Sequence, residues 1–218
     1  MTDFDISLYL VTDRSLSGGR DLEHIVGEAV RGGVTMVQLR EKQCSSREFY
    51  RVAVRLKRFL TPWRVPLIIN DRLDIALACD ADGLHLGQSD LPCGIARKIL
   101  GKNKIIGLSV ENMTNVMEAN REDIDYIGIS PVFSTSTKSD TAPALGLEGV
   151  RDITSIARCP CVAIGGINIW NARAVIAAGA AGISVVSAIM SAPDPRLAAS
   201  ELIKTVNQSK KYGNNRMV

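Results

Sequence analysis

Short apolar runs alternate with longer amphipathic segments along the chain. Runs rich in Ile, Val and Leu fall at residues 6–11, 34–39, 66–69, 83–86, 104–108, 126–129, 161–164 and 182–186, each of strand length. Between them, segments with helical spacing cover 22–31, 46–60, 72–79, 92–100, 114–120, 147–157, 170–178 and 195–206. Strict alternation of strand and helix predicts a parallel sheet with helices outside it. Eight such units make the expected α/β fold a single (β/α)8 TIM barrel over residues 1–208. The runs before the third, sixth, seventh and eighth helices are nearly all apolar, as strands covered on both faces need to be. Arg31-Gly32-Gly33 and Ala178-Gly179-Ala180 place glycine where helices should end. The alternative, an open doubly wound sheet, wants a Gly-x-Gly-x-x-Gly turn after the first strand, where Thr12-Asp13-Arg14 stands instead. Residues 209–218 lack periodicity and are expected to form a disordered tail.

Composition narrows the classes. Of the 218 residues, 46% are hydrophobic but only 5% aromatic, so the core must be aliphatic. A formal net charge of +3 is too mild to point to nucleic acid. Arg47, Arg51, Arg55 and Arg58 share one face of the second helix, which reads as the solvated outside of a barrel helix. The acidic first five residues do not look like a secretory signal, and no apolar run reaches the roughly 18 residues of a membrane span. A soluble, cytoplasmic protein is expected. Its cysteines (Cys44, Cys79, Cys93, Cys159 and Cys161) are odd in number and suit a reducing compartment. Cys159-Pro160-Cys161 has no second ligand pair, so Cys161 is better read as a small hydrophobe opening a strand. His24 and His85 are the only histidines, which disfavours a Ser-His-Asp or Cys-His hydrolase.

Chemistry enters at Gln38-Leu39-Arg40-Glu41-Lys42. Strand side chains alternate, so Gln38, Arg40 and Lys42 share a face able to grip an oxygen-rich anion. Glu41 points the other way and is expected to tolerate change. Polar clusters then follow each strand: Asn70-Asp71, Gln88 and Asp90, Ser109, Ser134-Thr135-Ser136-Thr137-Lys138, Gly165-Gly166, and Ser187. In a barrel these positions share the rim that carries active sites. Asn70-Asp71 and Asp90 are open to a plainer reading as helix caps. Two carboxylates among Arg40, Lys42 and Lys138 nevertheless fit Mg2+ bridged to phosphate oxygens. Gly165-Gly166 and the Val186-Ser187 turn fit a backbone phosphate site, with the Thr loop between the two anion positions.

The ordered set resembles the thiamine phosphate synthase family. The matching segments are Val37 to Lys42, Ile69-Asn70-Asp71, Asp82 to Asp90, Gly107-Leu108-Ser109, Thr135 to Lys138, Ile164-Gly165-Gly166-Ile167 and Val185 to Ile189. The resemblance implies a transferase that joins a hydroxymethylpyrimidine diphosphate to a thiazole phosphate and releases pyrophosphate. By carry-over, Gln38, Leu39, Arg40, Glu41, Lys42, Asn70, Ser109 and Lys138 hold the pyrimidine diphosphate. Asp71 and Asp90 bind Mg2+, and Thr135, Ser136, Thr137, Gly166, Val186 and Ser187 hold the thiazole phosphate. Catalysis falls to Arg40, Lys42, Ser109 and Lys138, which would stabilise a departing pyrophosphate on a dissociative path. Small-molecule partners alone are implied, and a homo-oligomer is compatible with the sequence. Ser130-Pro131 and Ser134 depart from the Gly-Pro and Pro often found in the family and bear on loop rigidity. Two other readings stay open: an isomerase of thiazole phosphate tautomers in a related branch, and a non-catalytic phosphate-ligand sensor needing no metal.

Overall fold

The computed structural model describes residues 4–135 and 143–214. Eight parallel strands close into one barrel in sequence order: β1 Leu8–Val11, β2 Met36–Leu39, β3 Leu67–Asn70, β4 Gly83–Leu86, β5 Ile105–Val110, β6 Tyr126–Ile129, β7 Cys161–Ile164 and β8 Gly182–Val185. Around it run α1 Leu22–Arg31, α2 Ser46–Leu60, α3 Leu73–Ala78, α4 Cys93–Leu100, α5 Met113–Ala119, α6 Gly146–Ile156, α7 Ala172–Ala177, α8 Ser187–Met190 and α9 Pro195–Asn214. The helix starts have local causes. Asp21, Ser45 and Asn112 are N-caps that accept the N–H groups of His24, Glu48 and Asn115.

Period two sorts every strand into two faces. Leu8, Leu10, Val37, Leu39, Leu67, Ile69, Leu84 and Leu86 point outward into the core between strands and helices. Tyr9, Met36, Ile68, Ile105, Tyr126 and Val162 point inward and plug the lower barrel. The rings of Tyr126 and His85 fit there because neighbouring strands carry glycine. A Cβ on Gly107 would lie 2.0 Å from Tyr126 Cζ, and one on Gly128 would lie 3.1 Å from His85 Cε1.

The lower rim repeats one device on alternate strands. The side chain just before an even strand accepts an N–H from the first or second residue of the odd strand before it. Thr35 accepts from Leu8, Asp82 from Leu67 and Asp125 from Ile106, at 3.0, 2.8 and 2.8 Å. Buried Arg97 braces Asp125 at 2.6 Å and also donates to the carbonyls of Gly101, Lys104 and Asp123.

Two elements differ from the sequence reading. α9 runs to Asn214, six residues past the expected boundary at 208, because Ser209 is buried and Lys210 Nζ donates to Ser7 Oγ at 2.7 Å. Tertiary contact thus orders a stretch that has no amphipathic period of its own. α8 was not anticipated, since four residues are too few to show a helical period. Arg47, Arg51, Arg55 and Arg58 are exposed on α2, and Cys161 is buried at the start of β7. All five cysteines are free.

Candidate active site

A cavity of about 570 Å³ opens at the carboxyl ends of the strands. Gln38, Arg40 and Lys42 enter it from β2 and the turn that follows, with Gln38 buried and Lys42 the most exposed. The Arg40 guanidinium lies 3.7 Å from Asp13, and the Arg40 backbone N–H donates to Thr12 Oγ1 at 3.1 Å. Asn70 and Asp71 follow from β3, and Asp90 from the turn after β4. Asp71 holds a left-handed backbone, with φ at +62°, while its N–H donates to the His85 carbonyl at 2.9 Å. A non-glycine residue in that region is strained and persists where its surroundings over-determine it. Its carboxylate pairs with Lys42 Nζ at 2.6 Å.

Asp90 accepts the Gly87 N–H at 2.7 Å. Burial, together with the neighbouring Asp71 carboxylate, raises its carboxyl above the ordinary value of 3.8. Neither aspartate caps a helix. The N-cap positions of α3 and α4 are Arg72 and Pro92, both without a side-chain cap bond. The capping alternative is therefore set aside.

The opposite wall is mostly backbone. Gly165 and Gly166 have φ of +105° and +62° and line the cavity beside Val186 and Ser187. Side chains are excluded there by space as well as by φ: a Cβ would lie 2.8 Å from Pro131 Cβ at Gly165, and 2.8 Å from the Ser134 carbonyl oxygen at Gly166. Val132 and Phe133 donate to the carbonyls of Ile164 and Gly165, which ties the segment after β6 to this wall and brings Thr135 to the cavity. Asn171 Nδ2 donates to the Gly166 carbonyl at 2.9 Å and steadies the turn. Ser187 opens α8, whose far end is held by Arg20 donating to the Ala192 carbonyl at 2.6 Å.

The floor holds residues that the polar-cluster reading missed: Tyr9, His85, Tyr126 and Ser184. Ser184 Oγ is buried against the cavity without a hydrogen-bond partner among the described residues. Burial holds both tyrosines well above the ordinary phenol value. Inward parity together with Gly107 and Gly128, which make room for rings, was the signal available for them in the sequence.

Of the expected site residues, Gln38, Arg40, Lys42, Asn70, Asp71 and Asp90 meet in this one cavity. Ser109, Thr135, Gly166, Val186 and Ser187 complete the wall around them. Leu39 and Glu41 do not line it. Leu39 packs in the outer core, and Glu41 accepts from Arg14 at 2.8 Å with its side chain only 6% exposed. The expectation that Glu41 tolerates change is withdrawn, because alternation aimed it away from the cavity but into a clamp between the loops after β1 and β2. Ser136, Thr137 and Lys138 lie outside the described residues.

These features define a class: a closed (β/α)8 barrel whose polar and charged groups gather at the mouth where barrel enzymes act. Residues 8–189 match the family described as thiamine monophosphate synthase. The chain belongs to that family. It is 56% identical over 194 residues to the thiamine-phosphate synthase of Syntrophomonas wolfei, covering 89% of this chain and 93% of the relative. With the thiamine-phosphate synthase of Albidiferax ferrireducens it shares 50% over 202 residues, covering 93% and 92%. Among solved structures, the thiamine phosphate pyrophosphorylase of Pyrococcus furiosus superposes with a TM-score of 0.86 at 41% identity, covering 94% of this chain and 96% of that one. No helix of the described residues is long and apolar enough to cross a membrane.

Proposed function

We propose that the chain joins a hydroxymethylpyrimidine diphosphate to a thiazole phosphate in this cavity, releasing pyrophosphate and forming thiamine phosphate. One observation carries the reading. Paired carboxylates flanked by Arg40 and Lys42 face, across a single cavity, a glycine wall that ends in the short helix α8. That layout suits two phosphorylated ligands meeting head to head.

The donor set of the first subsite fits Mg2+. Burial, and after it the close approach of Asp71, raises the proton affinity of Asp90, and Lys42 is the cation paired with Asp71. Among the described residues no cluster of three or more His, Cys, Asp or Glu side chains could hold a metal alone. Mg2+ commonly takes one or two carboxylates and completes its shell with water and substrate phosphate. Asp71 and Asp90 would hold the ion, which supplies neutralisation of the diphosphate when bound.

This chain's own residues do the rest. Arg40 and Lys42 meet the oxygens of the leaving pyrophosphate, with Lys138 assigned to the same group. Asn70, Gln38 and Ser109 orient the pyrimidine. Gly166, Ser187 and the Thr135 segment seat the thiazole phosphate so that its ring nitrogen faces the methylene carbon. The carbon–oxygen bond to the diphosphate breaks, the electron-rich aminopyrimidine carries the cation, and the thiazole nitrogen closes on it. Positioning and electrostatics suffice, without a protein nucleophile. The free cysteines suit the cytoplasm as the place of reaction.

The test is direct. Purified protein given both substrates and Mg2+ should yield thiamine phosphate and pyrophosphate in equal amounts, and chelation should stop the reaction until Mg2+ is restored. Absence of product across a range of Mg2+ concentrations overturns the synthase reading. Turnover that ignores chelator overturns the metal assignment alone.

A further inference from the structure

Five side chains from five strands form one hydrogen-bonded chain across the barrel floor. Gln38 Nε2 on β2 donates to the Tyr9 hydroxyl on β1 at 2.8 Å. The Tyr9 and Tyr126 hydroxyls lie 2.8 Å apart. The Tyr126 hydroxyl lies 2.8 Å from His85 Nδ1, and His85 Nε2 lies 2.8 Å from Ser109 Oγ. Gln38 and Ser109, the two ends, both line the cavity. The tyrosines in the middle are fully buried, and the Tyr126 ring also stacks on His85 with centroids 5.5 Å apart.

The direction of the chain follows from counting protons. A hydroxyl has one proton to give, and a neutral imidazole has one protonated and one unprotonated nitrogen. Both tyrosines keep their protons, because burial raises them far above the ordinary phenol value. Tyr9 accepts from Gln38, so its own proton must go to Tyr126, the other partner of its hydroxyl. A buried hydroxyl left without an acceptor is costly. Tyr126 then gives its proton to His85 Nδ1. The histidine proton therefore sits on Nε2 and points at Ser109. The Ser109 hydroxyl hydrogen is left for the cavity.

We infer that this chain is a directed relay that sets the His85 tautomer and makes Ser109 a hydrogen-bond donor to the bound ring, which must present an unprotonated acceptor there. The inference rests on the reading of the cavity as the pyrimidine site. Tyr9, Tyr126 and His85 act as positioning residues, since they act on the ring through Ser109, although Tyr9 and His85 also lie on the cavity floor. An aminopyrimidine offers acceptor ring nitrogens and a donor amine, so a fixed donor at Ser109 chooses between its orientations on the floor.

The chain has two histidines, and His24 is exposed on α1, so a His24→Gln variant isolates the His85 signal. In that variant, nitrogen-15 correlation spectra at neutral pH should show Nε2 protonated and Nδ1 unprotonated, as a single species. Tyr126→Phe keeps the ring but cuts the relay. Added to His24→Gln, it should give a mixture of tautomers. It should also lower kcat about tenfold, the worth of one lost hydrogen bond, while KM for thiazole phosphate stays within about twofold. A proton on Nδ1, or on both nitrogens, in His24→Gln overturns the relay, as does a Tyr126→Phe protein with the parental tautomer and kcat. If Tyr126→Phe does not fold, the His24→Gln spectrum decides by itself. That spectrum does not depend on what the cavity binds, so its failure is distinct from failure of the synthase reading, which shows as an absence of product.

Discussion

The Asp90 carboxyl sits half-buried beside Asp71 and is held above its ordinary 3.8 by burial first and by that neighbour next. An acid whose folded pKa exceeds its unfolded value binds its proton more tightly when folded. The stability linked to it is present below the unfolded pKa and is lost as pH rises through the folded pKa. Metal-free protein at neutral pH therefore bears a cost for keeping Asp90 ionised. Asp90→Asn, which can still accept the Gly87 N–H, should melt at or above the parent temperature at neutral pH in chelator, with the gap narrowing toward about pH 4. It should also lose turnover. A lower melting temperature at neutral pH would contradict this account. Asp71→Ala should likewise abolish Mg2+-dependent turnover with the fold retained, seen as native circular dichroism without product. Glu41→Ala removes the partner of Arg14 and should cost about 1 kcal/mol of stability. It should also raise KM for the pyrimidine diphosphate as the turn bearing Arg40 and Lys42 loosens. Unchanged melting and KM would return Glu41 to the tolerant class.

The β4, β5 and β6 strands show what their inward glycines do. Gly107 and Gly128 leave the space that the rings of Tyr126 and His85 occupy. Gly107→Ala should destabilise the protein by about 3 kcal/mol through overpacking, measured by urea denaturation. A loss of a few tenths would mean that the Tyr126 ring moves freely, against its packing on Tyr9 and His85. Strand and helix positions were readable because an apolar strand has period two and an amphipathic helix 3.6, and both survive in one sequence. α8 was not readable, because a four-residue helix spans little more than one turn. The mouth residues from Gln38 to Ser187 were readable as a set because each follows a strand. The floor was missed because Tyr9 and Tyr126 look like ordinary apolar strand residues until the barrel closes and brings their hydroxyls together.

The whole molecule depends on α9 packing against α1 and α7, beside the closure between β1 and β8. α1 can approach α9 because its end is glycine: a Cβ on Gly32 would lie 2.3 Å from the Arg196 carbonyl oxygen. Deleting residues 209–218 removes the bond from Lys210 to Ser7 beneath β1 and should cost about 1 to 3 kcal/mol, read as a lower urea midpoint. An unchanged midpoint would restore the view of this segment as a tail. By itself, the sequence determined the order of strands and helices, the barrel, and the side of the barrel where polar groups collect, because these follow from local periodicity and from chain order. Only the tertiary structure decided which polar groups face one another. It paired Asp71 with Asp90 and Lys42, turned Glu41 into a clamp for Arg14, and joined Gln38 to Ser109 through Tyr9, Tyr126 and His85. Those contacts join residues about 20 to 120 positions apart, and no local pattern records distances that exist only once the sheet closes on itself.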